Sequence, residues 1–259
     1  MKNISVDKKT VRRVAENIFY PLLGLAIILA FWAIFAKAKN NPLVLPMPDV
    51  VLQRFFTLGA SLDFWKEVGA TLLRTIICFI TSFVLALLFA SLAGLWKPFN
   101  KIMSPIVAVL RAVPTVAAIL IMYAFFRNDT MAILVGFLIA FPIMYSAFYT
   151  AIVSVDKDLL EMAKVYKIKP FDKVRSIYLP SIEGCLFDTS RSSISLTLKI
   201  IVASEILTNI SVSIGGSIQV AYASFEIEYL LARTLVAIVF SLVLEWLVSI
   251  IKWIREVTK

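Results

Sequence analysis

Charged and hydroxyl side chains share one face of an otherwise apolar segment in the C-terminal half of the chain. Arg191, Ser195 and Lys199 are spaced by four residues, and Asp188 lies three residues before Arg191. In a helix, this spacing aligns the four side chains. Charges within apolar sequence normally face a bundle interior or an aqueous cavity. The pattern therefore predicts either a structural ion pair between Asp188 and Arg191, or a polar path along this face.

Arg111 and Glu205 are two further charged residues within apolar segments. Pro114 follows Arg111 closely, and a proline inside a helix kinks or breaks it. Arg111 is therefore part of a helix break or a cation that faces a pore. Glu205 lies near the end of the segment that holds Lys199, where it is either a gate residue or a packing residue. The candidate residues for a polar path are Arg111, Arg191, Ser195, Lys199 and Glu205.

Covalent and metal chemistry have few candidate residues in this chain. It has no histidine, and its two cysteines, Cys78 and Cys185, lie in or beside apolar sequence. A zinc site is therefore not expected. The sequence also lacks the Gly-x-x-x-x-Gly-Lys-[Ser/Thr] loop that cradles nucleotide phosphates. We expect neither an intramembrane enzyme nor a cofactor bound by this chain.

The elements that position these residues are long apolar segments. Hydrophobic residues make up 60% of the 259 positions, whereas soluble domains are nearer half apolar. Apolar runs of about 18 residues or more are typical of membrane-crossing helices, and barrel strands would instead alternate in short segments. We predict an all-α polytopic membrane protein in which a polar tail, residues 1–17, precedes a single transmembrane domain, residues 18–259. Six transmembrane helices are predicted over residues 18–36, 70–95, 103–126, 131–155, 182–207 and 231–254.

The basic residues lie between the apolar segments, so the net charge of +9 indicates topology and a lipid environment rather than nucleic-acid binding. Lysines and arginines are concentrated in the N-terminal tail, in residues 156–180 and at the C-terminus, whereas residues 208–229 carry none. Cytoplasmic connections are the ones enriched in these residues. We therefore expect both termini, and residues 156–180, on the cytoplasmic side.

Residues 156–180 form a long, charged connection with a helical pattern. Leu159, Leu160, Ala163 and Tyr166 recur at helical spacing, and Asp158 is the expected cap of this first short helix. Pro170 fits the first turn of a second short helix. Apolar side chains at the tip of such an element require a protein partner, because they would otherwise face water.

The spacing within this connection resembles the coupling loop of binding-protein-dependent ABC permeases. Their pattern is Glu-Ala-Ala, three residues, Gly, nine residues, Ile, one residue, Leu-Pro; here Met162 replaces one alanine and Lys167 replaces the glycine. The stretches at 45–48, 71–74, 110–114 and 203–205 are also similar to the nitrate/sulfonate/taurine branch of this family. The resemblance assigns ATPase coupling to Glu161, Ala163, Tyr166, Lys167, Pro170, Ile177, Leu179 and Pro180.

The resemblance implies the type I importer fold, with this chain as a permease subunit in a bacterial inner membrane. It also implies a second permease copy, a pair of ATP-binding subunits that use ATP, and an extracytoplasmic solute-binding protein. Relatives of this kind carry sulfonates or taurine, nitrate, a thiamine precursor or riboflavin. We accordingly expect a small anionic or heterocyclic solute that crosses the membrane along the candidate polar path.

An ion-coupled secondary transporter is the alternative function for a chain of this composition. Such transporters have inverted repeats and acidic residues deep within several spans. No convincing repeat is present here, and the acidic residues cluster near the ends of the apolar segments. Uptake that persists without an ATP-binding partner would favour this alternative.

Overall fold

The computed structural model describes the backbone of residues 8–126 and 129–258, and the side chains of residues 19–126 and 130–258. Every regular element in these ranges is helical, which confirms the predicted all-α class. A short π-helix spans Val174–Tyr178. The α-helices are α1 (Lys8–Lys39), α2 (Pro48–Leu58), α3 (Leu62–Leu95), α4 (Lys97–Ala112), α5 (Thr115–Phe125), α6 (Asp129–Val153), α7 (Lys157–Val165), α8 (Pro170–Lys173), α9 (Leu179–Thr208), α10 (Ile214–Ala223) and α11 (Ile227–Val257).

The first helix, α1, lies at the periphery of the bundle. Of the predicted N-terminal tail, residues 1–7 fall outside the described part of the chain, and α1 begins at Lys8, before the span predicted from residue 18. Most of its described side chains are exposed, although Ala36 is buried and the Trp32 indole N–H donates to the carbonyl of Pro46 at 3.1 Å. The apolar surface of α1 is therefore open to lipid.

Four long helices, α3, α6, α9 and α11, form the centre of the bundle, in which α6 packs between α3 and α9, and α9 also packs against α11. Small residues permit the close approach of α3 and α6. A side chain at Gly94 would place its Cβ 2.7 Å from Cγ2 of Ile152, and one at Gly136 would meet Sγ of Cys78 at 2.5 Å. Helices in membranes pack through such small residues because lipid provides no hydrophobic driving force between them.

The predicted spans correspond to the long helices, with differences in length. Within the described residues, four helical segments are long and apolar enough to cross a bilayer: Phe19–Lys39, Leu62–Leu95, Thr130–Val153 and Ile227–Val257. The predicted fifth span corresponds to α9, which has 30 residues but several polar ones. The α3 helix begins eight residues before the second span predicted from residue 70, and it extends beyond the hydrocarbon core.

The predicted third span, residues 103–126, is not one continuous helix. It divides into α4 and α5, which meet at an angle of 97°. Val113 is extended, with φ −68° and ψ 123°, because the ring of Pro114 disfavours a helical conformation at the preceding residue. The helix-breaking interpretation of Pro114 is therefore confirmed, and Arg111 lies in the last turn before the break.

The short helix α2 is held against α11 by apolar and polar contacts. Val51 and Leu58 are buried in a cluster that includes residues of α11. The Arg54 guanidinium donates to a carboxylate oxygen of Glu228 at 2.8 Å and lies 4.8 Å from the Tyr229 ring centroid. The hydrogen bond to Glu228 raises the pKa of Arg54.

Candidate functional site

The segment from Asp156 to Pro180 lies at one end of the bundle, which we call the loop end. Its first helix, α7, is capped by Asp156, whose carboxylate accepts from the Asp158 amide at 2.9 Å. The predicted cap, Asp158, is therefore wrong by two residues, because Asp158 already lies in the first helical turn. Its negative charge there is favourable, since the N-terminus of a helix carries partial positive charge.

The turn after α7 contains Lys167 in a left-handed conformation, with φ 52°. The Lys167 amide donates to the carbonyl of Lys164 at 3.1 Å, and the Ile168 amide donates to the carbonyl of Ala163 at 2.9 Å. These two bonds define a Schellman motif, in which the left-handed position is usually glycine. Lys167 therefore adopts the left-handed conformation at the position where the family pattern has glycine.

The second helix of the segment begins at Pro170, as the sequence predicts. It is not a separate short helix, because α8 continues through the π-helix into α9. Pro180 lacks an amide N–H and crowds the carbonyl one turn earlier, and the wider π turn ends two residues before it. The path from Pro170 to Thr208 is thus continuous helix, so Ile177, Leu179 and Pro180 belong to the base of a long helix.

The loop segment has a buried side and an exposed side. Ala163 and Ile177 are buried in an apolar cluster with Ala93 of α3 and Phe148 of α6. Glu161 and Lys167 are exposed. Three large apolar side chains are each at least 75% exposed at the tip: Val165, Tyr166 and Phe171. We call Val165, Tyr166 and Phe171 the loop tip; a surface of this kind is typical of a protein-binding site.

The opposite end of the bundle contains a buried ion pair between Arg74 of α3 and Glu205 of α9, with 2.8 Å between Nη1 and Oε1. Glu205 is completely buried. It also accepts from the Thr71 hydroxyl at 3.0 Å and from the Gly215 amide at 3.1 Å. A buried charge requires such partners. The geometry supports the packing interpretation of Glu205, because its carboxylate joins α3, α9 and the start of α10.

A second polar group lies in a groove of about 400 Å³ between α9 and α11. Ser195 is buried, and its hydroxyl is 2.6 Å from the Ser241 hydroxyl. Lys199 is exposed on the same groove and has no carboxylate partner among the described side chains. Arg191 is 3.8 Å from Glu245 of α11. Ser195 therefore holds two helices together, whereas Lys199 faces open space.

The predicted ion pair between Asp188 and Arg191 is wrong. Asp188 accepts instead from the Lys252 ammonium at 2.8 Å, and Arg191 faces Glu245. Both partners belong to α11, which lies beside α9 over much of its length. Contacts between helices replace the contact within one helix, because the packing of α11 places Lys252 beside Asp188 and Glu245 beside Arg191.

Arg111 lies in a different groove, between α4 and α6, with a volume of about 280 Å³. Its Nη1 atom is 3.5 Å from the Ser146 hydroxyl oxygen, which is too long for a strong hydrogen bond. Tyr145 and Tyr149 of α6 line the same groove. The buried Tyr145 hydroxyl has no hydrogen-bond partner in the described part of the chain.

The five candidate path residues thus occupy three places. Arg191, Ser195 and Lys199 lie on the side of α9 that faces α11, Arg111 lies between α4 and α6, and Glu205 is in the buried ion pair. Their role in a path stays a prediction.

Sequence reasoning did not single out Arg74 or Tyr145 as site residues. The spacing of Thr71 and Arg74, a polar pair three residues apart in an apolar segment, was the available signal for the first. The Tyr145 hydroxyl gave no comparable signal, because a tyrosine in an apolar segment is common.

Fold and sites together define a polytopic helical membrane subunit with an apolar loop tip at one end and charged residues within its spans. The model of the family described as "Binding-protein-dependent transport system inner membrane component" matches residues 82–252. This chain belongs to that family and is the permease subunit of an ABC importer in an inner membrane. Such subunits work with an ATP-binding subunit and a substrate-binding protein.

Several proteins are similar to this chain over most of its length. A probable ABC transporter permease protein of Haemophilus influenzae is 23% identical over 90% of this chain and 96% of its own. The nitrate import permease protein NrtB of Leptolyngbya laminosa is 28% identical, with coverage of 83% and 78%. The riboflavin transport system permease protein RibX of Chloroflexus aurantiacus is 27% identical, with coverage of 83% and 82%.

Solved structures support the same fold. A bacterial ABC transporter involved in the import of the acidic polysaccharide alginate matches with a TM-score of 0.65 at 17% identity, over 95% of this chain and 100% of that one. An inward-facing structure of the MetNI methionine ABC transporter matches with a TM-score of 0.61 at 20% identity, over 75% and 97%. The predicted type I importer fold is thereby confirmed.

Proposed function

We propose that this permease moves a small solute into the cytoplasm when ATP-binding subunits push on the loop tip. The observation that carries the proposal is the continuous helix from Pro170 through α9, which joins the exposed tip to the polar centre of the bundle. Force applied at Tyr166 or Phe171 acts on the base of α9 through the packing of Ala163 and Ile177. Rigid elements of this kind transmit switching between two arrangements.

The proposal includes the composition and orientation of the importer. Two copies of this chain form the path, two ATP-binding subunits dock at the loop end, and both termini are cytoplasmic. A solute-binding protein delivers solute at the opposite end. The chain itself binds no cofactor, and ATP is hydrolysed by the partner subunits. Support comes from the distribution of basic residues and from the absence of a phosphate-binding loop in the sequence.

Relatives suggest the class of solute. They include permeases named for import of nitrate and riboflavin, and one named for aliphatic sulfonates in Bacillus subtilis. We propose a small anionic or heterocyclic solute; sulfonate or taurine, nitrate, a thiamine precursor and riboflavin are the candidates. A ligand screen on the solute-binding protein that works with this permease tests the choice, since that protein meets the solute first.

Charge reversal at the loop end tests the coupling mechanism. Glu161 is exposed on α7, and Glu161→Lys is expected to abolish uptake in reconstituted vesicles and to weaken co-purification of the ATP-binding subunit. Asp63→Lys, at an exposed residue of the opposite end of the bundle, is the control for co-purification of the ATP-binding subunit, which it should leave unchanged. Normal uptake by the Glu161 variant would refute the docking role of α7.

Labelling from one side of the membrane tests the orientation. In a chain with Cys78 and Cys185 replaced by serine, Lys164→Cys at the loop end is expected to react with an impermeant maleimide only after the cells are opened. Leu43→Cys, in the exposed connection after α1, is expected to react in intact cells with a permeable outer envelope. The reverse result overturns the proposed topology.

A further inference from the structure

The groove between α4 and α6 is lined in part by polar side chains. Asn100, Ser104 and Arg111 of α4 line one wall, and Tyr145 and Tyr149 of α6 line the other. The α4 residues recur at intervals of four and seven, so they share one helical face. Their partners on α6 are likewise four residues apart. Polar side chains at this depth normally face an aqueous cavity.

Arg111 lies away from the loop end of the predicted spans, as its position beside Ser146 indicates. Ser146 lies seven residues from the end of α6 at Val153, which corresponds to about 10 Å along a helix. No acidic residue lines this cavity, and Arg111 has no carboxylate partner among the described side chains. A guanidinium at this depth without a counter-charge is costly, so the cavity is suited to an anion that neutralises it.

Four further polar side chains in the cavity can donate hydrogen bonds and make none within the described part of the chain. The Tyr145 hydroxyl is buried and makes no hydrogen bond in the described ranges. The side chains of Asn100, Ser104 and Tyr149 line the cavity beside it without bonds to other described residues. The guanidinium adds a planar fork of N–H donors, which matches pairs of oxygen atoms on one group. Donors around one cation are the arrangement that oxyanions require.

Hydroxyl side chains connect this cavity to a second groove that reaches the loop end. Ser146 and Thr150 line both this cavity and a larger groove of about 670 Å³ between α6 and α9. Ser154, Ser181 and Cys185 line that groove, which reaches Asp156 at the start of α7. The spacing of Ser146, Thr150 and Ser154 by four residues places their hydroxyls in a row along α6. A solute released from Arg111 therefore has a polar route to the loop end.

We propose that Arg111, with the Tyr145 hydroxyl and the side chains of Asn100 and Ser104, binds the oxyanion group of the transported solute. The ligand class is a small singly charged oxyanion, such as nitrate or a sulfonate, rather than a neutral heterocycle. This site rests on the proposed function, because it is a binding site along the translocation path of the importer. The solute is held by ion pairing and hydrogen bonds, and no covalent step is involved.

Direct binding tests the site with two probes, methanesulfonate and nitrate. The permease, purified with its ATP-binding subunits into nanodiscs of neutral lipid, is studied by saturation-transfer NMR of the methanesulfonate methyl group, with nitrate as competitor. Arg111→Gln is expected to weaken binding at least about tenfold, and Tyr145→Phe by a smaller factor, as for loss of a charged and a neutral hydrogen bond. Lys101→Gln on the same helix and Tyr222→Phe on α10 are the matched controls.

Three results would overturn the proposal. One is unchanged methanesulfonate binding in the Arg111→Gln variant. Another is competition by riboflavin and not by nitrate, which would assign the cavity to a heterocycle. The third is loss of the two-copy assembly in Arg111→Gln by native mass spectrometry, which would show that Arg111 pairs with a carboxylate of the second copy. Failure of the importer function is seen separately, as uptake that needs no ATP-binding subunit, and it leaves the binding measurement intact.

Discussion

At the scale of single residues, the chain tolerates an unfavourable backbone conformation where neighbouring contacts compensate for its energetic cost. Lys167 adopts φ 52°, a conformation in which a Cβ costs about 1 kcal/mol or more. The cost is offset by the two amide hydrogen bonds that close the turn after α7 and by the burial of Ala163 beneath it. The lysine thus preserves the turn at some expense in local stability.

Lys167→Gly is expected to stabilise the turn by about 0.5–1 kcal/mol, because glycine adopts the left-handed conformation without steric cost. The measurement is hydrogen exchange of the Ile168 amide, whose protection should increase several-fold. Lys169→Gly is the control. The φ of Lys169 is −60°, so glycine relieves no steric strain there and only increases the conformational entropy of the unfolded chain. Equal protection in both variants would contradict the assignment of strain to Lys167.

The buried pair of Arg74 and Glu205 gives a second prediction at this scale. Glu205→Ala is expected to destabilise the bundle by roughly 3–5 kcal/mol, because it leaves the Arg74 charge buried without its carboxylate. Arg74→Met combined with Glu205→Leu should cost less than Glu205→Ala alone. Unfolding in detergent followed by circular dichroism measures both changes.

The control for this pair is the partly exposed contact between Arg54 and Glu228. Glu228→Ala should cost only about 0–1 kcal/mol, since solvent screens this charge. If Glu205→Ala were no more harmful than Glu228→Ala, the buried cluster would have no special role in holding α3 to α9.

At the scale of elements, hydropathy predicts where the spans lie but not where they bend or how far they extend. The break between α4 and α5 depends on Pro114, which is visible in the sequence, yet the sequence does not predict the bend of 97°. The merger of α8 with α9 was not predicted, because Pro170 and Pro180 both indicate helix boundaries while the π turn accommodates the second of them.

Pro114→Ala is expected to straighten the junction of α4 and α5, since the residue before it would then be free to adopt a helical conformation. Spin labels at Ile106 and Ile121, both exposed, should move apart toward about 22 Å, the length of 15 residues of straight helix. Pulsed electron resonance measures this distance. Pro105→Ala is the control, because Pro105 already lies inside α4; an equal change in both variants would show that the bend does not depend on Pro114.

At the scale of the whole molecule, α9 is the element that connects the separate sites. The π-helix at its base contains Ile177, which is buried in the same cluster as Ala163 of α7. Further along α9, Lys199 lines a groove, and Glu205 accepts hydrogen bonds from α3 and α10. The sequence predicted the polar face of α9 but not the partners of its charged residues, because Lys252 and Glu245 lie more than fifty positions away in α11. Such long-range pairs depend on the packing of the helices.

Because α9 is continuous, a break at its centre should separate ATP hydrolysis from transport. Ser192 is exposed midway along the helix, and Ser192→Pro removes one backbone hydrogen bond and kinks the helix there. The ATP-binding subunits should still co-purify, because the loop tip is intact, but solute-loaded binding protein should no longer stimulate their ATPase activity, and uptake should fall at least tenfold. Ser192→Ala keeps the helix and should behave as the parent chain, while thermal unfolding confirms that the proline variant is folded. Full stimulation in a folded Ser192→Pro variant would show that the force from the loop tip reaches the path by a route other than α9.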